Sequence, residues 1–173
     1  MNEGSYQCFR AEKYIKESPS PEFTYVDFTR SNTLNIDKSN VKNIIKISVT
    51  YEHLATVAVN LKYLINSGVL SSDYQWTWIV SLYDLMIFSD LIESESDFQE
   101  YINYRLSLYE RNDIQFSDEI DILGFYFEAN FPLPPEKENE RISMTGYKDE
   151  IDTYYTRKDV GMPGVIKPKK KRK

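Results

Sequence analysis

Between Tyr74 and Phe127 a tryptophan-bearing run, QWTWIV, is followed by three apolar stretches, each introduced by serines and acids. This stretch limits the fold more than any other. Trp76 and Trp78 lie two apart and so share one face of a strand, predicted over 75–80, where they serve as core. Ser81 with Asp84 forms the S-x-x-D pattern of a helix-capping box. Leu85, Phe88, Leu91 and Ile92 then follow at helical spacing and predict a helix over 82–92. Its LMIF run is apolar on more than one face, so the helix is expected to be buried. Ser94 or Ser96 starts the next, over 97–110, with a stripe of Phe98, Tyr101, Ile102, Leu106 and Tyr109. Ser117 starts a third, over 118–130, with Ile120, Leu123 and Phe127 facing in. Gly124 in mid-helix implies close approach by a neighbouring element. Glu95, Asp97, Asp118, Glu119 and Asp121 sit where the positive end of a helix dipole favours acids.

Upstream, residues 1–22 read as a weakly ordered N-terminus, closed by Pro19-Ser20-Pro21, with at most a short helix around Arg10–Lys16. Residues 23–29 alternate as a strand. Arg30–Asn40 is polar and is expected to be a loop. In the predicted strand 43–50, Ile45, Ile47 and Val49 point one way and Lys46 and Ser48 the other. Thr50 is expected to cap a helix over 51–66, whose apolar stripe runs from Leu54 to Ile65 and which Ser67-Gly68 ends. Beyond Pro132 a last short helix is expected over 147–156. The gross order predicts an α+β fold. A small sheet from 23–29, 43–50 and 75–80 is packed by helices near 51–66, 82–92, 97–110 and 118–130. One domain over 23–157 and a disordered basic tail over 158–173 complete the expected organisation.

A chain of 173 residues is long enough to bury a core, and 14 Tyr and 9 Phe supply apolar area. The net charge of −6 conceals a split. Six positive charges in Lys167-Pro168-Lys169-Lys170-Lys171-Arg172-Lys173 leave −12 for residues 1–166. An acidic body is not the footprint of a domain that grips phosphates over its whole surface. Nucleic acid is therefore expected to be met only through the basic tail, and a protein is the expected partner. The tail resembles a nuclear import signal. A native basic linker is the other reading.

Cys8 alone allows no internal disulfide, and His53 alone allows no histidine-rich metal site. A Cys8/His53 nucleophilic pair lacks any supporting motif. No apolar run reaches the length of a membrane span, and the polar N-terminus is not a secretory signal. Cytoplasmic location is expected, or nuclear if the tail acts as an import signal.

Metal-dependent nucleases of the restriction type use two acids to hold Mg²⁺ and a lysine to orient water. Their usual trace is (D/E)-x-K, and no Asp or Glu here has a lysine two positions on. Asp27 is a lone strand acid. Asp118 and Asp121 share a helix face and are metal candidates, against which the helix-dipole explanation weighs more. No phosphate loop, dinucleotide fingerprint or nucleophile elbow occurs. No cofactor is expected, with Mg²⁺ implied only if the chain is a divergent nuclease.

The runs NIIKISVT, VSLYDL, DFQEYINYR and SDEIDILGFYF, within 41–155, carry a resemblance. They resemble a segment of uncharacterised bacterial proteins related to the restriction-endonuclease-like superfamily, including the nuclease-related (NERD-like) group. That resemblance implies a non-catalytic domain of such a protein, structural or partner-binding in role. No catalytic residue carries over, because the (D/E)-x-K is absent. Two other readings stand beside it: an acidic protein-binding module such as an immunity protein, and a divergent metal-dependent nuclease.

Overall fold

Helices and short strands alternate along the chain as the sequence patterns require, and the class is α+β. The structure, a computed structural model, describes residues 2–128, 133, 135–136 and 141–171. Two compact units divide it. One comprises residues 1–48 and 73–78, the other residues 49–72 and 79–173.

In the first unit the N-terminus is not weakly ordered. It forms helix α1 (Asn2–Glu17). The helix gains order from contacts made far along the chain, which local propensity does not report. Ser5 Oγ donates to the Gln75 carbonyl at 2.8 Å, and the Cys8 thiol donates to the Ile47 carbonyl at 3.6 Å. Glu12 meets Lys16 at 2.5 Å and Lys46 at 3.0 Å. Those two ammonium groups, Lys16 first, hold the Glu12 carboxyl below its ordinary pKa.

Strands β1 (Glu22–Asp27) and β2 (Arg30–Asn35) form an antiparallel hairpin, with Phe23 opposite Leu34 and Asp27 opposite Arg30. The stretch 30–40, expected to be a loop, thus contains a strand. Its RSNTLN sequence lies almost wholly on exposed positions, so no apolar alternation announces it. The turn between them is Phe28-Thr29, with Phe28 at φ 52°, a conformation that usually selects Gly or Asn. The sheets are two-stranded. Strand β1 pairs with β2 rather than joining the other expected strands in one sheet. Strands β3 (Ile47–Thr50) and β4 (Trp78–Ser81) lie where the chain passes between units. Both are shorter than expected.

The second unit is helical. The predicted helix 51–66 is broken into α2 (Ala55–Val59) and α3 (Leu61–Asn66) at Asn60, whose ψ of 41° leaves the helical range. The Asn60 amide donates to the Phe116 carbonyl at 3.0 Å and to the Thr56 carbonyl at 2.7 Å, competing with the helix for the backbone. Thr50 does not cap. Its hydroxyl donates to the Glu52 carbonyl at 2.8 Å, and α2 begins without a side-chain cap.

The capping boxes downstream form. Ser81 Oγ accepts the Asp84 N–H at the start of α4 (Leu82–Leu91), and Ser94 Oγ accepts that of Asp97 at the start of α5 (Glu95–Tyr109). Strand β5 (Ile114–Phe116) follows, then α6 (Glu119–Glu128). Strand β6 (Ile142–Met144) runs parallel to β5, and α7 (Asp149–Asp159) closes the unit. Every residue of α6 from Glu119 to Phe127 is buried. Its Phe125 and Tyr126 join Phe88, Tyr101 and Tyr104 in an aromatic cluster, edge to face or tilted, with Phe88 and Tyr101 centroids 4.4 Å apart. A Cβ at Gly124 would run into the Tyr147 carbonyl oxygen, so only glycine admits the 147 loop this close. That is the close approach the mid-helix glycine implied.

Candidate binding cleft

Helix α5 carries an arginine where its stripe should be apolar. Arg105 lies inside the second unit, its side chain 3% exposed, with its Nε 3.2 Å from both Glu119 oxygens. Tyr101 Oη donates to Glu119 at 2.5 Å, and Arg105 Nη2 donates to the Val59 carbonyl at 3.3 Å. Burial, then the Glu119 charge, drives the Tyr101 hydroxyl pKa well up, so it stays a donor. Glu119 stands in a helix first turn, so from sequence it reads only as a dipole acid. Nothing local tells it apart from Asp118 or Asp121.

Arg105 and Val59 of this network line an open cleft of about 880 Å³ within the unit, a volume suited to a ligand or an inserted side-chain cluster. Helix α3 lines one side with Lys62, Tyr63 and Asn66; the end of α5, the 111–113 turn, β5, Glu136 and Arg141 line the rest. Its lining carries Lys62, Arg105, Arg111 and Arg141 against Asp113 and Glu136, a cationic excess although the chain is acidic. Lys62 Nζ sits 5.4 Å above the Tyr109 ring centroid, and the Arg141 guanidinium 5.2 Å above that of Tyr63. Arg111 grips Asp113 with two bonds of 2.6 Å. That carboxylate holds the guanidinium pKa up. No carboxylate among the described residues forms an ion pair with Lys62 or Arg141. No sequence motif announces the cleft, because its cations come from four separate segments. The only local signal is Arg105 at the edge of an apolar stripe.

The acid candidates are placed differently. Asp27 ends β1 beside the hairpin turn, exposed, opposite Arg30. Asp118 and Asp121 do come together, in the second unit. Asp118 Oδ1 accepts the Asp121 N–H at 2.9 Å, so Asp118 rather than Ser117 takes the capping bond. Its Oδ2 meets Lys148 Nζ at 2.5 Å. Asp121, wholly buried, accepts from Ser117 Oγ and, at 3.1 Å, from the Lys148 backbone N–H. Asp118 is the first cause of the raised Lys148 pKa. The pair therefore caps α6 and clamps the 147–148 turn, with an ammonium in the position a cation would take. No group of three metal-ligating side chains occurs among the described residues.

Cys8 is held on a backbone carbonyl, and His53 Nε2 lies 3.4 Å from Asp84 Oδ2, each within its own unit. No protein-family model, curated protein or solved structure matches this chain. No described helix is long and apolar enough to cross a membrane.

The basic segment makes contacts too. Lys167 Nζ lies 3.7 Å from Asp90, Pro168 is buried, and Lys170 meets Glu100 and stands 4.4 Å over the Tyr126 ring. Lys169 is exposed, and the Lys171 N–H donates to the Phe127 carbonyl at 3.0 Å. In the stretch 158–171, expected to be disordered, residues 158–159 thus complete α7 and residues 167–171 pack on the unit. Arg172 and Lys173 lie outside the described residues.

Proposed function

We propose that this chain is a partner-binding domain without a catalytic centre of its own, of the kind its resemblance to nuclease-related bacterial proteins implies. The observation that carries this reading is the cationic cleft in an acidic chain. Its ligand is an acidic segment of a partner protein. Planar guanidinium groups match carboxylates, and Arg111 on Asp113 is an internal example of the contact. Lys62 and Arg141, propped on tyrosine faces, are ordered before binding, which reduces the entropy lost on engagement.

Fluorescence anisotropy with a labelled ten-residue polyglutamate peptide tests it. Binding is expected to saturate, to weaken with salt, and to fall about tenfold or more in Lys62→Glu/Arg141→Glu. Equal affinity in both proteins would end the proposal. Plasmid cleavage with Mg²⁺ or Mn²⁺ that disappears in Asp27→Ala or Asp118→Asn would replace it with the nuclease reading.

One observation favours a second reading, an acidic module that receives a basic partner as immunity proteins do. The chain's own lysine-rich segment already lies on Asp90 and Glu100. A basic decapeptide that binds in place of the acidic one would select that reading.

A further inference from the structure

Five features on one face of the second unit converge on the segment 167–171. Asp90 in α4 faces Lys167. Glu100 in α5 takes Lys170. The Tyr126 ring lies under the same ammonium, and its hydroxyl is 3.4 Å away. The Phe127 carbonyl, near the C-terminal end of α6 where carbonyls lack helical partners, accepts the Lys171 N–H. Pro168 is buried between these charged contacts. A groove of about 380 Å³ runs between the segment and the helices, lined by Leu91, Ile92, Glu93, Asp97, Tyr126 and Phe127 on one side and by Lys169, Lys170 and Lys171 on the other.

The chemistry is specific to a basic peptide in three ways. Carboxylates on two different helices are spaced for lysines three residues apart. An aromatic face attracts an ammonium and has no equivalent attraction for an anion. The helix C-terminus carries partial negative charge, which favours cations. A solvated tail would make none of these contacts, and a lysine run alone needs no buried proline.

We propose that this α4–α5–α6 face is a binding site for a proline-anchored lysine-rich segment, and that residues 167–171 lie on it and withhold their cations from polyanions. The inference is independent of the cleft. Phosphate binding by the tail is then gated. The two states compete for Lys167 and Lys170, and salt or loss of the face's carboxylates releases them.

The test uses the full chain and a single-stranded thymidine 20-mer as the polyanion. Asp90→Asn/Glu100→Gln removes the two carboxylate charges while keeping the shape of both side chains. This variant is expected to bind the 20-mer about tenfold or more tighter than the unchanged protein at low salt, since two or three lysines become free for phosphates. The same two substitutions are repeated in a chain with Lys167, Lys169, Lys170 and Lys171 all changed to Gln. There the gain is expected to vanish. Equal affinity of the first pair overturns the proposal. A gain of equal size without the lysines overturns it too, because neutralising two acids would then explain everything.

A second measurement needs no variant. Tryptic cleavage after Lys169–Lys171 in the unchanged protein is expected to be slow at low salt and severalfold faster at about 0.5 M salt, where exposed charge pairs are screened over a few ångströms. Cleavage that is fast and salt-independent means the segment is not held and refutes the gate.

Discussion

Replacing Glu119 by Gln tests the central packing claim about the second unit. The amide keeps the shape and still offers an oxygen to Tyr101 Oη. It removes the charge facing Arg105. Arg105 Nε is 3.2 Å from both carboxylate oxygens, and both side chains are 3% exposed. A guanidinium cannot shed its proton, so it would remain as a buried, uncompensated charge. Breaking such a pair from one side costs about 3–5 kcal/mol. With a urea slope of about 2 kcal/mol per molar, the unfolding midpoint falls by about 2 M. Far-ultraviolet circular dichroism is the assay, because the helices dominate this unit.

Arg105→Met added to Glu119→Gln removes the second charge and leaves an apolar side chain of similar length. The double variant is expected within about 1 kcal/mol of the starting protein. The double-mutant cycle therefore shows a coupling of several kcal/mol. A single Glu119→Gln costing under about 1 kcal/mol would mean water reaches the pair. A double variant as unstable as the two single costs summed would mean the residues act separately. Either result refutes the argument.

Gly124→Ala is expected to cost about 3 kcal/mol or more in the same assay, because its Cβ would meet a backbone oxygen that has no side-chain freedom to yield. Ser81→Ala removes the acceptor of the Asp84 N–H and is expected to cost about 1 kcal/mol by thermal unfolding. Tyr104→Phe is expected to be neutral or slightly stabilising. Its buried hydroxyl finds no hydrogen-bond partner among the described residues, and burial has driven that hydroxyl's pKa up. The Asp90 carboxyl is held below its ordinary pKa, first by the Tyr155 hydroxyl and then by Lys158 and Lys167. A depressed carboxyl stabilises above its unfolded pKa and loses that contribution as pH falls through the folded one. The stability difference between the unchanged protein and Asp90→Asn should thus be present at about pH 6 and shrink as pH falls below about 4, the ordinary carboxylate range.

The helices with strong local signals were legible. Ser81-x-x-Asp84 and the α5 stripe state their own boundaries, since cap and apolar period lie within a few residues. Strand β2 was not legible, because a hairpin with both faces exposed needs no apolar alternation. The break at Asn60 was hidden for another reason. Its cause is the Phe116 carbonyl, 56 residues away. The cleft is less legible still, since Lys62, Arg111 and Arg141 carry no motif and meet only through folding.

By itself the sequence determined the class of the fold, the caps at Ser81 and Ser94, the glycine at a close approach and the split between acidic body and basic tail. Each depends on neighbours along the chain or on bulk charge. Tertiary structure decided which acids matter. Asp118, Glu119 and Asp121 occupy one helical turn and look alike as dipole acids. Packing makes one the clamp on Lys148, one the buried partner of Arg105 and one the acceptor for a turn. The energy of a carboxylate depends on burial and on the charge it faces, and both are supplied by residues distant in sequence.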